Sequence, residues 1–102
     1  MGLLKRLFGI KSVDYRELVN NGAKIIDVRT PAEYKGGHIK SSVNYPLQSL
    51  GSKMAKMEKD KTYITVCASG MRSGSAKAML RAQGFEQVHN GGSWMSLRNK
   101  IK

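Results

Sequence analysis

Hydrophobic residues in this chain follow two rhythms. Short blocks in which nearly every position is apolar or β-branched alternate with stretches where apolar residues return every three or four positions. The first rhythm marks buried strands, the second helices with one apolar face. Ala23–Val28, Tyr63–Cys67 and Phe85–His89 therefore read as strands, and Ser42–Tyr45 as a shorter one halted by Pro46. Tyr15, Leu18 and Val19 form the stripe of a helix that Ser12 caps, with Asp14 and Glu17 in its first turn and Asn20-Asn21-Gly22 at its end. Thr30-Pro31-Ala32-Glu33 supplies a cap, a proline at the first helical position and a capping-box glutamate; Gly36-Gly37 breaks that short turn. Leu47–Lys59 reads as a helix with Leu50, Met54 and Met57 on one face, weakened by Gly51. Ala76–Gln83 reads as a helix that buries Ala76, Met79 and Leu80 and ends at Gly84. Gly91-Gly92 reads as a turn, and Trp94–Ile101 as the last helix. Strands alternating with helices predict an α/β fold with a mostly parallel central sheet and helices on both faces. In such sheets ligands gather at the carboxyl ends of the strands.

At 102 residues the chain has the length of one domain. Met1–Lys11 stands apart from residues 12–102, the domain proper. Leu3, Leu4, Leu7 and Phe8 share one helical face, with Lys5 and Arg6 elsewhere. This amphipathic N-terminal segment is expected to rest on the domain or, through residues 1–8, to make weak contact with an anionic membrane surface. Its charged centre and lack of a long apolar core fit neither a signal peptide nor a membrane span. Arg6 occupies the place where a myristoylation signal beginning at Gly2 has Ser or Thr.

Eighteen Lys and Arg against seven Asp and Glu give a formal charge of +11. Such a field draws anions. The basic residues are spread along the chain, however, and no recognition helix, zinc finger or aromatic RNA-binding signature accompanies them, so no specific nucleic-acid binding is expected. One cysteine allows no intramolecular disulfide and no cysteine zinc site, and it suits a reducing compartment, the cytoplasm.

That cysteine, Cys67, ends the strand Tyr63–Cys67 and opens Ala68-Ser69-Gly70-Met71-Arg72-Ser73. An unassisted thiol titrates near about 8.5 and is mostly protonated at neutral pH. Here the loop amides of Ala68–Ser73 and the positive end of the following helix both favour an anion. Gly70 supplies the conformational freedom of a tight loop, and Arg72 adds a permanent positive charge. The arrangement suggests an activated nucleophile; the competing reading is an inert cysteine buried on a strand.

The segment Cys67-Ala-Ser-Gly70-Met-Arg72-Ser73 resembles the active loop of the single-domain rhodaneses, a family of sulfurtransferases. Further matches are Ile26-Asp27-Val28-Arg29 with Pro31 and Glu33-Tyr34, then Gly37-His38-Ile39 and Asn44-Tyr45-Pro46. Gly84-Phe85, Val88, Asn90-Gly91-Gly92 and Trp94 continue them, so that the likeness runs from about Ser12 to Leu97 in consistent order and spacing. The resemblance implies a rhodanese-like fold and a two-step reaction. The Cys67 thiolate would attack the sulfane sulfur of thiosulfate, a polysulfide or a persulfide, and the resulting Cys67 persulfide would give its sulfur to a thiol or to cyanide. It also implies Ala68, Ser69, Gly70, Met71, Arg72 and Ser73 as the substrate-binding loop, and neither metal nor organic cofactor. With no second cysteine, the sulfur has to leave to an external acceptor.

Two rivals stand beside this reading. One is a non-enzymatic persulfide carrier or docking module loaded by a partner protein. The other is a phosphatase or arsenate reductase of related fold, whose cysteine and arginine are separated by five residues; here four separate Cys67 from Arg72, a shorter loop that suits a sulfur atom. Among single residues, Arg72 either orients the loop through a carboxylate, Asp27 or Glu33, or meets the donor anion. Ser69 and Ser73 are candidate donors to sulfur oxyanions, with Ser73 equally a helix cap. Arg29 reads as a structural ion pair, His38 and His89 as structural hydrogen bonds, and Trp94 as core.

Overall fold

Period-two alternation in the strands decides which side chains meet which layer of helices. The computed structural model describes residues 13–102; the readings of Met1–Lys11 and of Ser12 lie outside them. Among the described residues β1 (Lys24–Asp27), β2 (Val43–Asn44), β3 (Thr62–Cys67) and β4 (Gln87–Ser93) form one sheet in the order β2-β1-β3-β4. All three pairings are parallel. The chain moves outward in opposite directions from the central pair β1 and β3, which places a topological switch point between their carboxyl ends.

On one face, Ile26, Val28, Tyr63, Cys67 and Val88 pack with Leu50, Ala76, Leu80 and Phe85. On the other, Ile25, Ile64 and Val66 pack with Ile39 and Leu97, flanked by Tyr15, Leu18, Val19 and Trp94. The sheet is thus covered on both sides, as the alternation of elements predicts. Parity along β3 puts Cys67 on the same face as Tyr63 and Thr65.

The helices are α1 (Tyr15–Asn20), α2 (Pro31–Lys35), α3 (Leu50–Lys53), α4 (Met71–Ala82) and α5 (Trp94–Lys100). Asp14 caps α1: its carboxylate accepts the Glu17 amide hydrogen at 3.0 Å. In α2 the expected capping box is complete, with Thr30 and Glu33 exchanging hydrogen bonds and Pro31 at the first position. None of the described helices is long and apolar enough to cross a membrane.

Four expectations are corrected. Leu47–Lys59 is not one helix: 3₁₀ turns at Leu47–Ser49 and Met54–Lys56 flank the four residues of α3. The helix expected from Ala76 begins at Met71, so Arg72 and Ser73 lie in its first turn rather than in the loop. Its buried stripe is Ser73, Ala76 and Leu80, and Met79 is left partly exposed. Finally, Gly91-Gly92 does not end a strand. Phe85 precedes β4 and plugs the core edge-on against Tyr63, while β4 runs through both glycines with a shift of register.

Candidate active site

β3 carries Cys67 to the carboxyl edge of the sheet, beside the switch point, where the residue is wholly buried. The chain then turns through Ala68-Ser69-Gly70. Gly70 takes φ +105°, a left-handed conformation in which a side chain is strained, and a Cβ there would also sit 3.4 Å from Gly92 Cα. With this turn made, the Gly70 N–H donates to Cys67 Sγ at 3.0 Å and the Ser73 N–H at 3.3 Å. The Gly74 N–H donates to the Gly70 carbonyl at 3.0 Å and closes the first turn of α4 onto the loop. A sulfur at this point faces backbone donors and the positive end of a twelve-residue helix. Burial pushes the thiol up, but the hydrogen bonds open to the sulfur anion, from the Ser73 hydroxyl once it turns from Asn90 and from the Ser73, Gly70 and Ser69 amides, outweigh it. Cys67 consequently titrates below the ordinary thiol value.

Arg72 is bonded to a carboxylate, not to the sulfur. Its Nη1 and Nη2 donate to Glu33 Oε1 and Oε2 at 2.7 and 3.0 Å, a bidentate pair between α4 and α2. Of the two carboxylates expected for this role, Glu33 takes it. The Arg72 hydrogen bonds, with those of Thr30, hold the Glu33 carboxyl at about 2. Asp27 is engaged elsewhere: buried Arg29 donates to it through Nε and Nη2, at 3.0 and 2.8 Å. That is the structural ion pair read from the sequence. Arg29 also donates to the Gly37 carbonyl and lies 4.6 Å from the Trp94 ring centre. Trp94 is half-buried against the second core cluster.

Neither histidine reaches the loop. His38 Nδ1 lies 2.7 Å from the Tyr34 carbonyl and its ring stacks on that of Tyr34. His89 meets Tyr15 edge-on instead of making the hydrogen bond expected of it; burial, then Lys77 and Arg81, hold it below its ordinary value. Met71 opens α4 with 81% of its surface exposed. A pocket of about 200 Å³ lined by Val28, Pro31, Pro46 and Leu47 adjoins Arg72.

Two contributors were not read from the sequence as site residues. Thr65 Oγ1 donates to the Ser73 carbonyl at 2.8 Å, tying β3 to the first turn of α4. Asn90 bonds both Gly70 and Ser73. The only signal for Asn90 was its place before Gly91-Gly92.

The family comparison bears on this same segment. Residues 12–97 match the Rhodanese-like domain. The chain belongs to the rhodanese family. The chain is 37% identical over 81 residues to the Bacillus subtilis protein YqhL, described as uncharacterized, with 78% of the chain and 64% of that protein covered. To the Escherichia coli thiosulfate sulfurtransferase PspE it is 36% identical over 69 residues, 66% of either chain. A solved E. coli rhodanese with bound anions superposes with a TM-score of 0.70 at 31% identity, over 74% of this chain and 91% of that one. The matched segment thus spans about two thirds of these curated relatives' length.

Proposed function

We propose that this rhodanese is a sulfurtransferase that carries sulfane sulfur on Cys67. The observation that supports the reading is the pair of backbone amides converging on Cys67 Sγ at 3.0 and 3.3 Å. Relatives named as sulfurtransferases, PspE among them, agree with it. In the first half-reaction the Cys67 thiolate attacks the outer sulfur of thiosulfate. A bond forms between Sγ and that sulfur, and the donor's S–S bond breaks with its electron pair leaving on sulfite. Polysulfides and persulfides react in the same way with a sulfur anion as leaving group. In the second, a thiolate or cyanide attacks the outer sulfur of the persulfide and the electron pair returns to Sγ. A covalent intermediate between two separate partners gives ping-pong kinetics.

The loop residues Ala68–Ser73 hold the sulfur anion in both stages through their amides. Arg72 supports the loop by fixing α4 to α2 through Glu33, and the exposed Met71 and the pocket beside Arg72 form the mouth that a donor or acceptor meets. The basic surface draws an anionic donor. A single thiol that must remain reduced suits the cytoplasm.

The test is intact-mass spectrometry after incubation with thiosulfate, comparing the protein with Cys67→Ser. The expected result is a gain of one sulfur atom that is absent in the variant and removed by cyanide. No gain from thiosulfate, polysulfide or a small persulfide would overturn the enzymatic reading. Gain only from a protein persulfide would make the domain a carrier loaded by its partner.

A further inference from the structure

Asn90 lies outside the strand-to-helix loop, at the point where β4 changes register. Thr65 pairs with Asn90, but Val66 pairs with Gly92, so Gly91 is an extra residue in β4. At this bulge the Asn90 side chain meets the loop. Its Oδ1 accepts the Ser73 hydroxyl hydrogen at 2.6 Å and the Gly92 amide hydrogen at 2.9 Å, while Nδ2 donates to the Gly70 carbonyl at 3.2 Å. Two donors on one side and an acceptor on the other assign the oxygen and nitrogen of this amide. Tyr15 of α1 donates to the Asn90 backbone carbonyl at 3.1 Å and steadies the residue from behind.

Ser73 has a single hydroxyl hydrogen, and it lies on Asn90. The lone pairs of Ser73 Oγ therefore face Cys67 Sγ, 3.5 Å away, an arrangement made for an S–H donor and not for a sulfur anion. For a thiolate to gain this hydroxyl as a donor, the hydrogen has to leave Asn90 and turn to the sulfur. The amides of Gly70 and Ser73 serve the sulfur in either state; the hydroxyl is the donor that switches. We propose that Asn90 is a positioning residue: it holds the Ser73 hydroxyl in the orientation that favours the protonated sulfur, and so sets how readily Cys67 ionises. The proposal deepens the sulfurtransferase reading and rests on it for its catalytic meaning.

The charged groups around the sulfur are otherwise engaged. Arg72 of α4 is bound to Glu33 of α2, Asp27 of β1 to Arg29, and His89 of β4 meets Tyr15. None of these side chains bonds to that of Asn90, so substitution at Asn90 leaves their pairings in place. Asn90 is exposed, and the Gly74 amide also holds the Gly70 carbonyl, so the loop keeps an anchor without it.

The experiment is a thiolate titration by ultraviolet absorbance with Cys67→Ser as the blank; Cys67 is the only cysteine, so the signal has one source. Asn90→Ala is expected to lower the midpoint by about one unit, because the freed hydroxyl donates to the sulfur anion. That shift is expected to vanish when Ser73→Ala is also present. Asn90→Asp is expected to raise the midpoint, because a carboxylate holds the hydroxyl hydrogen more tightly. An unmoved or raised midpoint in Asn90→Ala, or a shift that persists without the Ser73 hydroxyl, would overturn the proposal. Should Asn90→Ala fail to fold, Asn90→Asp reads the same hydrogen bond with opposite sign, and a lowered or unmoved midpoint there is equally fatal. The titration needs no sulfur donor. Sulfur loading by mass, measured on the same proteins, therefore distinguishes failure of this inference from failure of the sulfurtransferase reading.

Discussion

Glu33 does two tasks with one carboxylate, capping α2 through Thr30 and holding Arg72 of α4. Its folded-state value of about 2 lies below the ordinary 4.5. The contribution to stability is therefore complete above pH 4.5 and fades as the pH falls toward about 2. Because the pair is partly exposed, the effect is modest. Urea denaturation across that window is expected to show a decline in the parent that Glu33→Gln flattens; equal slopes would remove Glu33 from the account. Cys67 titrates in the direction a nucleophile needs, burial being outweighed by the loop's hydrogen bonds. Sulfur loading is expected to rise with pH and level off below the ordinary thiol value, as stopped-flow mixing with thiosulfate would report. Both residues were open to sequence reading, one through a capping box and one as the only thiol. Which carboxylate Arg72 chooses was not, because Asp27 and Glu33 are both distant from it in sequence and only folding commits Asp27 to Arg29.

At the scale of elements, glycine chemistry separates what was legible from what was not. Gly91 in β4 has no room for a side chain: a Cβ would lie 2.8 Å from Ile64 Cγ2 and 3.1 Å from Val66 Cγ1. Gly91→Ala is expected to cost about 1–3 kcal/mol by chemical denaturation, because neighbouring strand residues must shift. Gly51 in α3 meets nothing within 4 Å. Gly51→Ala is therefore expected to raise stability by up to about 1 kcal/mol, and a loss there would contradict the described packing. Local pattern read Gly91-Gly92 as a turn because paired glycines usually are one, whereas here they let a strand pass close beneath its neighbour. It likewise started α4 too late. Ser73-Gly74-Ser75 has poor helix propensity, yet Thr65 and Asn90 hold Ser73, and the Gly74 amide closes on Gly70. Tertiary bonds overrode propensity in both cases.

Across the whole molecule the basic excess is expected to act on encounter more than on chemistry. Thiosulfate loading is expected to slow several-fold from low salt to about 0.5 M, while the rate at saturating donor stays nearly level. A loading rate indifferent to salt would mean that the positive field does not steer the donor. The sheet order sets where the one thiol lies. Connections diverging from the β1–β3 pair put the topological switch point at their carboxyl ends, the place where ligands gather in such sheets, and β3 ends there at Cys67.

The sequence by itself determined the α/β class, the parallel sheet, the strand that carries Cys67 and the family, because these rest on periodicity and on ordered motifs along the chain. It also determined the α2 capping box, which is local within four residues. The start of α4, the bulge at Gly91, the Arg72–Glu33 pair and the place of Asn90 were decided by the tertiary structure. Each depends on groups distant in sequence whose hydrogen bonds or close approach exist only once β3, β4 and α4 are packed together. Pattern along a chain records which face a residue turns to the core; it does not record which polar partner waits there.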